Sequence, residues 1–176
     1  MTRIEKNTMK KVILAAGLLS LFASSVFALT LNDPAPGFSL RDSKGNIFSL
    51  ADVVGARKKE KTNGVVLSFF ASWCVACRTE LPLINSLSDE LKDKGIKVVL
   101  IGFKEDFVRI NALLTDLRVN KPIVVSDSSG EVGEKYGVRF LPVTYFIGAD
   151  GTVMHIIFGE IKDAKELREG AGKLLQ

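Results

Sequence analysis

Val65 to Phe70 is an apolar run of strand length, and the pair Cys74 and Cys77 follows it directly, where a helical pattern begins. A short continuous run of this kind fits a central strand buried on both faces. Leu81, Ile84, Leu87 and Leu91 then recur at helical spacing, and Gly95 ends that helix, as the C-terminal position prefers. Lys97 to Gly102 is a second buried strand. Strands and helices that alternate in this way bury a sheet between helices, so a three-layer α/β domain is expected.

The rest of the chain extends the pattern. Phe38-Ser39-Leu40 and Ile47 to Leu50 flank a turn containing Ser43-Lys44-Gly45-Asn46, which predicts a β-hairpin. Phe107, Ile110, Leu113, Leu114 and Leu117 give another amphipathic helix, and Pro122 opens a short strand, Ile123 to Val125. Ser128 and Glu131 have capping-box spacing ahead of a short helix that ends near Tyr136. Val143 to Ile147 and Val153 to Phe158 are joined by Gly148-Ala149-Asp150-Gly151, a hairpin signal. Ala164, Leu167, Ala171 and Leu174 make a last helical face.

The N-terminus is of a different kind. Lys10 and Lys11 precede an apolar run, Val12 to Phe27, that ends Val26-Phe27-Ala28. Basic start, short apolar middle and small-residue exit are the pattern of a secretory signal peptide. Residues 1–28 are read as that leader, and residues 29–176 as the domain. The competing reading is a retained anchor, but the run falls short of the ~20 apolar residues that span a bilayer. The formal net charge of +4 sits mostly in the leader, because the part after Ala28 holds 20 basic and 19 acidic side chains. That balance gives no footprint for nucleic acid. The local run Arg57-Lys58-Lys59-Glu60-Lys61 reads as a solvated loop; a docking patch for an acidic partner is the alternative.

Cys74 and Cys77 are the only cysteines. A strand end in an open α/β sheet is where sites form. Free N–H groups and the dipole at a helix N-terminus stabilise a thiolate. Cys74, nearest the helix start, is therefore the expected nucleophile, with Cys77 one turn further in as the resolving thiol. A purely structural disulfide across so small a loop would contribute only ~2 kcal/mol by loop entropy. A zinc site needs about four ligands, and the chain offers two cysteines and one histidine.

Glu80 lies three residues after Cys77 and six after Cys74, near the cysteine face of the helix. It could accept or return the thiol proton, or be solvated in the first turns. Pro82 in the same helix lacks an N–H, so a kink is expected. Leu141-Pro142 precedes a strand: either an ordinary strand start, or a cis peptide packed against the cysteines that exposes backbone to substrate. Trp73 is a candidate apolar wall of the site. His155 reads as a strand residue, although a Cys74–His155 pair is possible in principle.

With these residues in view, the chain resembles the TlpA/ResA-like group of exported thioredoxin-fold reductases from Pro34 to Ile161. The matching blocks are Pro36-Gly37-Phe38 with its hairpin; Trp73-Cys74-Val75-Ala76-Cys77-Arg78-Thr79-Glu80-Leu81-Pro82, the group's W-C-x-x-C-x-x-E-x-P; and Asp127 and Gly130 through Tyr136-Gly137-Val138 to Leu141-Pro142. The resemblance implies a thioredoxin-like three-layer fold with an N-terminal β-hairpin and a central βαβ insertion. It also implies a cis Pro142 facing the cysteines and an active-site role for Glu80. Ser68 stands where plain thioredoxin has a buried aspartate, which passes proton handling to Glu80. Phe70 replaces a common tryptophan, Val143 a usual threonine, and the Ala51–Asn63 stretch is longer and more basic than typical. Val75-Ala76 is neither the Gly-Pro of thioredoxin nor the Pro-His of strong periplasmic oxidants, so strong oxidising power is not expected.

The resulting expectation is a thiol–disulfide oxidoreductase in the periplasm or on the outer face of the cytoplasmic membrane, working without a cofactor. Its reduced dithiol would attack a disulfide-containing protein substrate, and a membrane thiol-transfer protein would re-reduce it. Cytochrome c maturation is the pathway that the resemblance suggests. Two rivals are a peroxiredoxin-like thiol peroxidase and a metal-delivery module. Peroxidase chemistry usually has Thr or Ser three residues before its cysteine, and that position is Ala71.

Overall fold

The apolar run that begins the sequence argument becomes the middle strand of a five-stranded sheet. The computed structural model describes residues 29–176, so the segment read as a leader, with its expected exit at Ala28, lies outside the described residues. Strands β1 (Ser39–Arg41) and β2 (Ile47–Ser49) form the hairpin, followed by a short helix α1 (Leu50–Val53). Then come β3 (Gly64–Phe70), α2 (Val75–Asp93), β4 (Ile96–Phe103), α3 (Phe107–Asp116) and β5 (Ile123–Asp127). The chain finishes with α4 (Glu131–Lys135), β6 (Val143–Gly148), β7 (Val153–Phe158), α5 (Ala164–Gly172) and a 3-10 turn at Lys173–Leu175. The sheet order is β5-β4-β3-β6-β7; β3, β4 and β5 are parallel, β6 pairs antiparallel with β3, and β7 antiparallel with β6.

Every residue of β3 is buried. Strand side chains alternate between faces, and each half of β3 enters a different core. Val66 and Phe70 share one core with Leu81, Ile84 and Leu91 of α2, Ile110 and Leu114 of α3, and Leu167 of α5. Val65, Leu67 and Phe69 meet the hairpin residues Phe38 and Phe48, with Leu50 of α1, Val132 of α4 and Tyr145 of β6. This is the thioredoxin-like three-layer arrangement with its N-terminal hairpin.

Aromatic residues tie the hairpin layer to the sheet. Tyr136 packs edge-on against Tyr145 and Phe38. Its hydroxyl donates to the Pro36 carbonyl at 3.0 Å, and the Tyr145 hydroxyl donates to the Tyr136 carbonyl at 2.6 Å. The segment before the hairpin lies along the turn between β6 and β7. The Asn32 N–H donates to the Val153 carbonyl at 2.8 Å, and the Ala35 N–H to the Gly151 carbonyl at 2.9 Å.

Helix α2 buries one stripe, Cys77, Glu80, Leu81, Ile84, Leu87, Ser88 and Leu91, the i, i+3, i+4, i+7 spacing of an amphipathic helix. It continues through Pro82 to Asp93. Gly95 follows its cap at φ 71°, the left-handed conformation that glycine adopts without penalty.

One local expectation is corrected. The short helix α4 is not held by a capping box between Ser128 and Glu131. Its N-cap is Gly130, and the buried Asp127 carboxylate accepts from the Val132 and Gly133 N–H groups at 3.3 and 2.8 Å. Asp127 is the last residue of β5, so its side chain comes to the helix end already fixed by the sheet. Spacing alone does not show that competitor.

Candidate active site

The strand register decides what surrounds the cysteines. Phe70 pairs with Gly102 of β4 on one side, and Phe69 with Val143 of β6 on the other. The turn that leaves β3, Ala71 to Cys74, is therefore flanked by the segment leaving β4 and the segment entering β6. The first carries Glu105; the second carries Leu141-Pro142.

Cys74 is the N-cap residue of α2, in extended conformation, and its sulfur accepts from the Cys77 N–H at 3.2 Å. The sulfur occupies the position of a capping acceptor, where the helix-end N–H groups and dipole favour negative charge. Cys74 and Cys77 are joined as a disulfide with Cα atoms 5.3 Å apart. Cys74 retains 6% exposure and Cys77 none, so an incoming partner reaches Cys74. Trp73 (67% exposed) and Val75 (79%) flank it as solvent-facing apolar side chains.

Glu80 is fully buried one turn beyond Cys77 on the same helix stripe. Its two oxygens accept from the Ser68 hydroxyl at 3.2 Å and from the Ile161 N–H at 2.9 Å. Burial pushes its pKa up to about 7; these two hydrogen bonds oppose the rise, and the charges of Glu160 and Glu166 add to it. Of the two readings open in the sequence, the structure places Glu80 in the core.

The Leu141-Pro142 bond is cis. The Pro142 carbonyl accepts from the Gly159 N–H at 2.9 Å, which ties the turn to the loop after β7. Phe140, just before this turn, and Phe158, at the end of β7, are exposed and stack with centroids 5.8 Å apart. His155 stands in β7 with its ring 5.5 Å from that of Phe146, a strand residue packed on the core. Among the described residues no group of three or more His, Cys, Asp or Glu is placed to hold a metal ion.

Sequence reasoning missed Glu105. It is 4% exposed, and its carboxylate accepts from the Ser72 N–H at 2.7 Å and the Ser72 hydroxyl at 2.6 Å. The available signal was an acid just past the end of the second buried strand, on the sheet edge that carries the cysteines. Ile161 was missed too, because it acts through its backbone.

Comparison with known proteins agrees with this geometry. The AhpC/TSA family model matches residues 31–156. The thiol-disulfide oxidoreductase ResA of Bacillus thuringiensis subsp. konkukian is 30% identical over 132 residues, covering 75% of this chain and 72% of the relative. ResA of Bacillus subtilis is 27% identical over 157 residues, covering 87% and 83%. A Chlorobium tepidum structure assigned as the thiol:disulfide interchange protein DsbE superposes with a TM-score of 0.72 at 27% identity, covering 85% of this chain and all of that one. The strand-to-helix disulfide, the buried glutamate beyond it and these relatives place the chain in the AhpC/TSA family, among the ResA-type thiol–disulfide oxidoreductases.

Proposed function

We propose that the protein is an extracytoplasmic reductase of protein disulfides, with Cys74 attacking and Cys77 resolving. The observation that carries this reading is the gradient of burial along one helix: Cys74 at the accessible N-cap, Cys77 sealed behind it, and a buried carboxylate one turn further on. In the dithiol form, the Cys74 thiolate attacks a substrate disulfide, forming a mixed disulfide and releasing one substrate thiolate. Cys77 then gives its proton to the Glu80 carboxylate, and the new thiolate attacks the Cys74 sulfur. That step breaks the mixed disulfide, releases the second substrate thiolate and leaves the Cys74–Cys77 disulfide. Two electrons pass to the substrate, and a membrane thiol-transfer protein returns the dithiol. A group with a pKa near 7 suits both acceptance and return of the proton at neutral pH.

Trp73, exposed beside Cys74 in sequence, and the Leu141-Pro142 turn, which enters β6 next to the end of β3, are assigned to substrate contact. The leader read at residues 1–28 supports export, after which the protein would act in the periplasm or on the outer face of the cytoplasmic membrane. Apocytochrome c is the proposed substrate, on the strength of the ResA-type relationship. A Cys77→Ala variant, purified from the native host compartment, tests the assignment. It should carry a mixed disulfide through Cys74 to an apocytochrome c. A different trapped protein overturns the substrate, and steady consumption of hydrogen peroxide without disulfide exchange overturns the reaction.

A further inference from the structure

We propose that Glu105 is a positioning residue for the exchange reaction: it holds the turn that presents Cys74 and sets a buried negative charge against it, which disfavours the thiolate. The inference rests on Cys74 being the attacking thiol. Two residues past Phe70, Ser72 offers both its N–H and its hydroxyl to one carboxylate, and that carboxylate comes from three residues past Gly102, the register partner of Phe70. Each carboxylate oxygen accepts one of the two donors.

The segment that carries Glu105 is anchored in its turn. Lys104 sits at φ 56°, with its N–H donating to the Asp127 carbonyl, and the Glu105 carbonyl accepts from the Ser126 hydroxyl at 2.7 Å. Among the described residues no lysine or arginine forms an ion pair with Glu105. Among the described residues, Ser72 supplies all the hydrogen bonds to its carboxylate.

The other charged groups on the elements around the turn are differently engaged. On α2, Arg78 is paired with Asp116 at 2.6 Å, and Glu80 is bonded to Ser68 and Ile161. Beside Glu105, Lys104 reaches Glu134 at 3.5 Å, and Asp106 caps α3. Arg139 precedes the Pro142 turn, and Glu160 follows β7.

A negative charge in a site with little water opposes a second one nearby. Glu105 therefore works against the field of the α2 N-terminus, which favours the Cys74 thiolate. A less favoured thiolate makes the dithiol form less stable relative to the disulfide, so the dithiol is the better electron donor. The same bonds keep Ser72, and with it Trp73 and Cys74, in one geometry.

The experiment follows carboxamidomethylation of each cysteine by iodoacetamide against pH in the reduced protein, for the wild type, Glu105→Gln and Glu105→Asp. Glutathione equilibria give the reduction potentials of the same three proteins. Glu105→Gln should move the Cys74 profile to lower pH by about one unit, a roughly tenfold faster reaction on its acid limb, and raise the potential; Glu105→Asp, which keeps the charge, should stay near the wild type. Superimposable Gln and wild-type profiles overturn the inference, as does an equal displacement for Asp and Gln. Should either variant fold poorly, the carboxyl carbon-13 resonance of Glu105 in the reduced wild type decides: it should shift as Cys74 ionises, and a flat resonance overturns the inference. Faster labelling of Cys77 than Cys74 in the wild type instead defeats the assignment of the attacking thiol.

Discussion

Ile161 donates its backbone N–H to the carboxylate of Glu80 at 2.9 Å, from 81 positions further along the chain. That bond and the Ser68 hydroxyl are all that the Glu80 carboxylate has in place of water, and burial outweighs them, leaving its pKa at about 7.

A carboxyl group whose folded pKa lies above its unfolded value is easier to protonate in the native state. Its presence then costs no stability below the unfolded value near 4.5, a growing amount as pH rises towards 7, and a constant amount above that, on the order of 3 kcal/mol. Glu80→Gln keeps the shape and cannot ionise. In the disulfide form it should melt with the wild type near pH 4 and at a higher temperature near pH 8. Exchange should slow by roughly a hundredfold, the scale of a lost proton acceptor, with an altered pH profile. Melting and exchange rate measured against pH check this; coincident curves for both quantities would remove the proton-handling role.

Alkylation at near-neutral pH should modify Cys74 well before Cys77, because only Cys74 has exposed surface and a helix-end acceptor position. Cys74→Ser should abolish disulfide reduction, and Cys77→Ser should accumulate mixed disulfides. Peptide mapping after timed labelling reads the order, and equal rates would contradict the assignment.

Asp127→Ala should destabilise the fold by about 1–3 kcal/mol. It removes a buried acceptor and leaves the Val132 and Gly133 N–H groups without their partner. Denaturant titration measures the loss. Ser128→Ala should be near neutral, because Gly130 and Asp127 supply the cap. A larger loss for Ser128→Ala would restore the capping box.

If the protein is exported as proposed, mass spectrometry should find Leu29 at its N-terminus, as the Val26-Phe27-Ala28 exit predicts. An intact leader in the membrane fraction would show that the segment is retained as an anchor.

The parts of the fold that were legible in the sequence are those set by local periodicity. Val65 to Phe70 reads as a strand with two buried faces because Ser68 is its one polar residue, and the α2 stripe from Leu81 to Leu91 reads directly from its spacing. The cysteine pair is legible because its two members are close in sequence. Contacts made by folding back were not legible. Glu105 meets Ser72 across 33 positions, and Ile161 meets Glu80 across 81. Ser128 and Glu131 show the converse: correct spacing without the bond, because Asp127 was already held at the helix end.

The strip from Asn32 to Ala35 has a directional consequence. It lies on the turn between β6 and β7, and Gly148, at the end of β6, pairs with Gly64, the first residue of β3. The cysteines lie past the other end of β3, seven residues away, about 20 Å along the strand. The strip from Asn32 to Ala35 therefore sits at the pole opposite the reactive sulfur, and the length of the central strand keeps the start of the described chain clear of the face where a partner disulfide must approach.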